Sequence, residues 1–248
     1  MDAERVLLTG AAGSVAAQLL PGLAGRPLRS FDREAADHPD AEVVTGELTD
    51  PAALERALDG VGAVVHLAGN PDPSAPWEEL RGPNVEGFAA LLAAAERAGV
   101  RRVVFASSVH AMGAHEADGR VPVDAAWAPR ACCPYGATKV FDEAVAQVVS
   151  RRGPLSTIGL RLGATVPEPT KRSQLASWLG PADLRQLVVR ALDADVHHGV
   201  FPAVSGNSRQ HWDLTAARTR LGYEPVLDSE EFAALVQDDG TDTGVCPR

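Results

Sequence analysis

Tyr135 and Lys139 are four positions apart in a segment that predicts a helix, so their side chains share one helical face. A phenol is a poor base at neutral pH, but a neighbouring ammonium group and a cationic ring would lower its pKa. Because the chain holds only two tyrosines and two lysines, chance would rarely give this spacing. The pair predicts proton transfer involving a hydroxyl group; the alternative is a surface pair on a solvated helix.

Ser108 adds a hydroxyl just after a predicted strand, Arg102–Ala106. Ligands of α/β sheets bind at the carboxyl ends of the strands. Ser108 could therefore hydrogen-bond the oxygen that reacts, and the alternative is an ordinary loop hydroxyl.

Gly10 and Gly13 lie between the first predicted strand and the first predicted helix. Gly10 allows a sharp turn, and Gly13 lets the backbone approach a pyrophosphate at the start of the helix. A tight strand-to-helix turn needs glycines in any case, but the position after an N-terminal strand favours dinucleotide binding.

Asp32 ends the second predicted strand, where a carboxylate can accept both hydroxyls of an adenine ribose and would repel a 2′-phosphate. This carboxylate favours NAD over NADP. The neighbouring guanidinium of Arg33 acts in the opposite direction, because it could attract a 2′-phosphate. The alternative for Asp32 is a solvated carboxylate in a turn.

Short apolar runs alternate with helical patterns up to Leu162, which predicts βαβ units, right-handed crossovers and a mostly parallel sheet. Because these runs are apolar throughout, helices should cover both faces. The fold class expected is α/β, a Rossmann-type doubly wound parallel sheet with a small C-terminal substrate-binding cap. The predicted strands are Arg5–Thr9, Leu28–Phe31, Glu42–Thr45, Ala63–Leu67, Arg102–Ala106, Leu155–Leu162 and a short one near Val200. The predicted helices are Gly13–Leu23, one that begins at Asp50–Pro51, Val85–Arg97, Pro134–Arg151 and Asp183–Leu192.

The strand and helix pattern breaks after Gly163, where prolines become frequent. We therefore expect residues 1–162 to form an NAD-binding domain that carries the catalytic residues. Residues 163–238 should form a small substrate-binding cap region packed on the sheet, and residues 239–248 a flexible tail.

Composition excludes several classes of protein. The 248 residues carry a net charge of −10 without a basic cluster, which argues against a nucleic-acid surface. No apolar run approaches the roughly 18–20 residues of a membrane span, and no signal-peptide pattern is present. The three cysteines lack zinc-site spacing, so no metal is expected. We expect a cytoplasmic protein that binds neither nucleic acid nor membranes.

Taken together, these motifs resemble those of the extended short-chain dehydrogenases/reductases, the NAD-dependent epimerase/dehydratase group. The segments that carry the resemblance are Thr9–Gly13, Asp32, His66–Gly69, Asn84–Gly87, Phe105–Ser108, Tyr135 with Lys139, Leu160–Gly163 and Arg220–Pro225. The resemblance implies a catalytic set of Ser108, Tyr135 and Lys139, with Asn84 supporting the proton relay. It also implies NAD as the cofactor and a homo-oligomer.

Within this group the chain is most similar to the uronate dehydrogenases, which oxidise a sugar at its anomeric carbon to a lactone. The features shared with them are Pro76–Glu78, Ser107–Ser108 with His110, Pro167 with Pro169, and Ala176–Leu179. The implied cofactor-binding residues are Gly10, Ala12, Gly13, Ser14, Val15, Asp32, Arg33, Glu47, Leu48, Leu67, Ala68, Gly69, Tyr135 and Lys139. The implied substrate-binding residues are Ser108, Val109, His110, Tyr135, Ala164, Thr165, Arg172 and Ser173.

Three positions depart from the uronate dehydrogenase pattern. Val109 stands where that family has Asn, Ala164 where it has Ser, and Ser173 where it has the Arg that binds the carboxylate. Arg172 or Lys171 could replace the lost cation after a shift of one residue. The simpler expectation is a neutral, deoxy or otherwise modified sugar, because a polar pocket discriminates strongly against missing partners.

Two alternatives remain open. A nucleotide-sugar epimerase or dehydratase with retained NAD would use the same catalytic residues, but it needs a larger C-terminal domain to hold a nucleotide. A catalytically silent NAD-binding protein would have no need to keep Ser108, Tyr135 and Lys139 together.

Overall fold

The computed structural model describes residues 4–36, 38 and 41–238. The predicted flexible tail, residues 239–248, lies outside this described part. No helix within it is long and apolar enough to cross a membrane.

Seven parallel strands form one sheet in the order β3-β2-β1-β4-β5-β6-β7. The order reverses between β1 and β4, which creates the crevice where doubly wound sheets bind ligands. This confirms the predicted fold class. The strands are β1 (Val6–Thr9), β2 (Leu28–Asp32), β3 (Ala41–Thr45), β4 (Ala63–His66), β5 (Arg102–Ser108), β6 (Ser156–Leu162) and β7 (His198–Ala203).

Helices cover both faces of the sheet, as the fully apolar strands predict. They are α1 (Ser14–Leu19), α2 (Pro51–Leu58), α3 (Trp77–Leu80), α4 (Gly87–Ala98), α5 (Gly113–Ala117), α6 (Pro134–Arg152), α7 (Pro181–Asp193) and α8 (Thr215–Leu221). One core buries the apolar sides of α1, α7 and α8, and the other buries those of α2, α4 and α6.

Two predicted helices differ from the observed ones. Helix α1 ends at Leu19 and a 3₁₀ turn follows over Leu20–Leu23. Pro21 has no N–H to donate, so the α-helical hydrogen bonding stops there. The predicted helix Val85–Arg97 begins instead at Gly87, after a π-helical turn over Arg81–Glu86.

Two elements of the predicted cap region complete the Rossmann layers. Strand β7 pairs with β6 over Thr157–Leu162, and α7 packs against α1. The division at residues 162 and 163 therefore stays a prediction about which part meets the substrate, since both parts share one sheet and one core.

Candidate active site

A cavity of about 360 Å³ opens at the carboxyl edge of the sheet, where the segments after β1, β4, β5 and β6 meet. The parallel direction of the strands brings these segments together. Tyr135 and Lys139 on α6 also face it, so the predicted phenol and ammonium share one cavity. The predicted site residues that line it are Ser14, Val15, Leu67, Ala68, Gly69, Ser108, Val109, His110, Tyr135, Lys139, Ala164, Thr165 and Ser173.

Tyr135 lies in the first turn of α6, and the ammonium of Lys139 is 5.8 Å from the centre of its ring. Lys139 is buried and also donates to the carboxylate of Asp142 at 3.2 Å. Burial alone would lower the pKa of Lys139, but Asp142, Tyr135 and Glu143 together outweigh this and the pKa is raised. The lysine is therefore a permanent positive charge beside the phenol.

Ser108 ends β5, and its hydroxyl oxygen accepts a hydrogen bond from the backbone N–H of His110 at 3.2 Å. This bond caps the 3₁₀ turn Val109–Ala111, in which the His110 ring lies edge-on to the ring of Tyr135 with 5.5 Å between the ring centres. Burial lowers the pKa of His110 to about 4. The imidazole is therefore neutral near pH 7 and can orient a hydroxyl group without adding charge.

Asn84 is buried in the π-helical turn before α4 and does not line the cavity. Its amide accepts from the N–H of Asn70 at 2.7 Å and donates to the carbonyl of Asn70 at 3.0 Å. It also donates to the hydroxyl of Thr138 at 3.3 Å. Asn84 thus ties the loop after β4 to α6, next to Lys139.

The segment after β1 fits a dinucleotide. Gly10 has φ +71°, and a Cβ there would lie 2.6 Å from the backbone nitrogen of Ala68. Only glycine lets this loop approach the segment after β4 so closely. Asp32 ends β2, and its partly exposed carboxylate accepts from the N–H groups of Ala12 and Arg33 at 3.0 and 2.7 Å. These residues would hold the pyrophosphate and the adenine ribose of NAD.

Several predicted residues lie away from the cavity. Gly10, Ala12 and Gly13 follow β1, and Asp32 and Arg33 stand at the end of β2, so all five lie at the carboxyl edge of the sheet, where doubly wound sheets bind dinucleotides. Of the two other implied cofactor-binding residues outside the cavity, Glu47 is exposed and Leu48 is buried. The guanidinium of Arg172 is half-exposed, 3.8 Å from the carboxylate of Asp238, and does not replace a cation in the cavity.

Sequence reasoning missed several lining residues, among them Asn70, Gln174 and Ser177. Asn70 directly follows the His66–Gly69 motif, so its position was a usable signal. Ser177 lies within the Ala176–Leu179 segment shared with the uronate dehydrogenases, which was a usable signal too. Gln174 carried none, because it reaches the cavity only through the fold of the segment before α7. Gly163 makes that fold possible, since a Cβ there would collide with the carbonyl of Ser177.

Replacing Asp32 with alanine should change the choice between NAD and NADP. Without the carboxylate, a 2′-phosphate meets no repulsion and Arg33 can attract it, so the ratio of NADP to NAD affinity should rise about tenfold or more. Calorimetric Kd values for both dinucleotides measure this. Glu55→Ala, an equal loss of charge on the exposed side of α2, serves as the control. An unchanged ratio would show that Asp32 does not face the ribose.

Comparison with known proteins agrees with this geometry. The NAD dependent epimerase/dehydratase family matches residues 6–217. The chain is 36% identical over 240 residues to uronate dehydrogenase from Pseudomonas putida, covering 94% of this chain and 88% of that protein. It is 34% identical over 251 residues to NAD-dependent glucose-6-phosphate dehydrogenase from Haloferax volcanii, covering 92% and 95%. The crystal structure of uronate dehydrogenase from Agrobacterium tumefaciens matches with a TM-score of 0.87 and 29% identity, covering 94% and 88%.

These matches confirm the predicted resemblance, NAD as the cofactor and an oxidoreductase that acts on CH–OH groups. The structure adds that Ser108, Tyr135 and Lys139 line one cavity. The chain belongs to the NAD-dependent epimerase/dehydratase family.

Proposed function

We propose that this protein oxidises the anomeric hydroxyl of a sugar to a lactone with NAD as the hydride acceptor. The observation that carries the proposal is the cavity that Ser108, Tyr135 and Lys139 share at the carboxyl edge of the sheet. The names of the two relatives described above are those of dehydrogenases of sugars, which supports the same substrate class here.

Tyr135 is the base in this proposal. The ammonium of Lys139, held near the ring, favours the phenolate, which removes the proton from the anomeric hydroxyl. NAD, when bound, supplies the carbon that accepts the hydride from the sugar. Because Tyr135 faces the cavity from α6 and Ser108 from β5, the two side chains can hold the reacting oxygen between them.

Most polar side chains that line the cavity are neutral. Among the described residues, Lys139 is the only Lys or Arg that lines the cavity, and Asp142 already binds it. His110 is neutral near pH 7, and Ser173, Gln174 and Ser177 offer a hydroxyl, an amide and a second hydroxyl. We therefore propose a neutral, deoxy or otherwise modified sugar, since a carboxylate in this pocket would have no guanidinium to bind.

A screen for NADH release tests the proposal directly. Neutral pentoses and hexoses, deoxy and halogenated sugars, and uronic acids are compared as substrates. We expect turnover of one or more of the neutral or modified sugars and a lactone as product. Activity confined to uronates would contradict the neutral pocket, whereas an isomerised sugar without net NADH would favour the epimerase alternative.

Introducing a cation at Ser173 should convert the preference toward acidic sugars. In Ser173→Arg, a guanidinium enters the cavity wall and can bind a carboxylate through two hydrogen bonds. The ratio of kcat/KM for a uronate to that for the best neutral sugar should rise by about 10–100-fold. Thr170→Arg adds the same charge at an exposed position of the same segment and should leave the ratio unchanged. A ratio that does not move in Ser173→Arg would show that the carboxylate does not reach this wall.

We also propose a cytoplasmic homo-oligomer, in which residues 163–238 contribute the substrate-binding part. Partly exposed apolar side chains on α6, Phe141 and Val148, support packing of this helix against a second copy. Light scattering of the intact protein checks the oligomeric state, and a monomer at micromolar concentration would contradict it.

A further inference from the structure

Asp142 is a carboxylate inside the active-site helix that the proposed reaction does not use. It lies on α6 three residues after Lys139, and its Oδ2 accepts from the ammonium at 3.2 Å. Only 1% of the Asp142 side chain is exposed, and its Oδ1 is buried without a hydrogen-bond partner among the described groups. A buried carboxylate oxygen without a hydrogen-bond partner lowers the stability of the fold. A functional role for Asp142 would explain why the chain carries a carboxylate at this position.

The nearest other charges are already engaged. Glu143 binds Arg161 of β6 through both carboxylate oxygens, at 2.8 Å each. His66 of β4 is neutral, because burial and then the charge of Lys139 lower its pKa to about 3. On β7, burial lowers the pKa of His198, which accordingly remains neutral as well. Glu143 also acts on Lys139, but Asp142 and then Tyr135 are the negative groups that raise the pKa of the lysine most.

Other described charged groups lie on elements that pack on α6, namely the π-helical turn, α3 and the 3₁₀ turn Val109–Ala111. Arg81 and Glu86 of the π-helical turn pair with each other at 3.5 Å, and both are exposed. Glu78 and Glu79 of α3 point to solvent, and the pKa of His110 is lowered to about 4 by burial.

We propose that Asp142 is a positioning residue that divides the charge of Lys139 between itself and Tyr135, and so sets the pH range in which the phenol acts as the base. This rests on the proposed function. Burial raises the pKa of Asp142 to about 7, which places its change of charge near neutral pH. Below pH 7 the Asp142 carboxyl is neutral, and the ammonium of Lys139 can stabilise the phenolate of Tyr135 alone. Above pH 7 the ionised Asp142 competes with that phenolate for the charge of Lys139.

The direction of the effect follows from charge. An ionised Asp142 near Lys139 opposes a second negative charge on Tyr135. In Asp142→Asn the buried ammonium of Lys139 loses its counter-ion, and the phenolate of Tyr135 can take the place of that counter-ion. Phenolate should therefore form at lower pH in Asp142→Asn, by about one pH unit.

Two measurements test this, one of which does not depend on turnover. The first is the pH dependence of kcat/KM, in which the acid limb should move down by about one pH unit in Asp142→Asn. The second is the near-ultraviolet absorbance of tyrosinate. The chain has two tyrosines, and Tyr223 is fully buried, donates to the carbonyl of Val204 at 2.8 Å and has a strongly raised pKa. The absorbance change in mild alkali therefore reports Tyr135 alone, and it should begin at lower pH in the variant.

Matched variants separate this role from a structural one. Asp142→Glu keeps the carboxylate and should restore the parent profile, while Asp142→Ser removes it with less volume and should repeat the shift. Asp183→Asn removes another fully buried carboxylate, which accepts from the N–H groups of Val226 and Leu227, and should leave the pH profile of kcat/KM unchanged.

Unchanged profiles in Asp142→Asn and Asp142→Ser, or a shift to higher pH, would overturn the proposal. The absorbance titration does so even for an inactive preparation. If instead the parent protein oxidised no sugar while tyrosinate shifted as expected, the proposed substrate would be wrong and the coupling of Asp142 to Tyr135 would stand.

Discussion

Tyr135→Phe is expected to lower kcat/KM for the best sugar by about 10³-fold, within the range that general acid–base groups supply. Phenylalanine keeps the ring beside His110 but has no oxygen to take the proton of the anomeric hydroxyl. Lys139 then has no group through which to act on the substrate. Because the ring remains, the Kd for NAD should change little, and calorimetry together with steady-state kinetics separates the two effects.

The other tyrosine provides the control for this variant. Tyr223→Phe makes the same chemical change outside the cavity and removes the hydrogen bond to the carbonyl of Val204. It should lower the free energy of unfolding by about 1 kcal/mol and leave kcat/KM unchanged. A loss of less than tenfold in Tyr135→Phe would reject the phenol as the base.

Glu143→Gln is expected to lower the free energy of unfolding by about 3–5 kcal/mol, because it leaves Arg161 as a buried charge without its partner. Both side chains are less than a tenth exposed, and two hydrogen bonds of 2.8 Å join them. Glu143 also accepts from the hydroxyl of Ser107, which precedes Ser108. The pair of Glu143 and Arg161 therefore holds the end of β5, next to Ser108, in addition to stabilising the fold.

Urea unfolding followed by circular dichroism measures this change. Asp118→Asn provides the contrast, since its pair with Arg130 is half-exposed and such pairs contribute little. We expect no measurable change of the unfolding midpoint there. A loss below about 1 kcal/mol in Glu143→Gln would show that the buried pair contributes no more than a surface one.

The arrangement of the sheet was predictable because strand and helix patterns depend on neighbouring residues. Apolar runs such as Val6–Leu8 and Ala63–Val65 mark strands covered on both faces, and Asp50 with Pro51 marks the start of α2. Element ends were less predictable. A π-helical turn over Arg81–Glu86 precedes Gly87. Gly82 and Pro83 disfavour an ordinary helix there, but they do not specify a π-helical turn, and this turn packs against α6.

The amino-acid sequence by itself determined the chemistry available: a phenol and an ammonium one helical turn apart, a hydroxyl at the end of β5, and a glycine turn that ends near the Asp32 carboxylate. These are local patterns, and a parallel sheet brings strand ends to one edge whatever the loops do. Tertiary structure decided what surrounds that chemistry. Ser177 and Gln174 reach the cavity, Arg172 does not, and Asp142 meets Lys139 in a buried space. Such contacts depend on the path of a whole loop and on burial, and the spacing of residues along the chain determines neither.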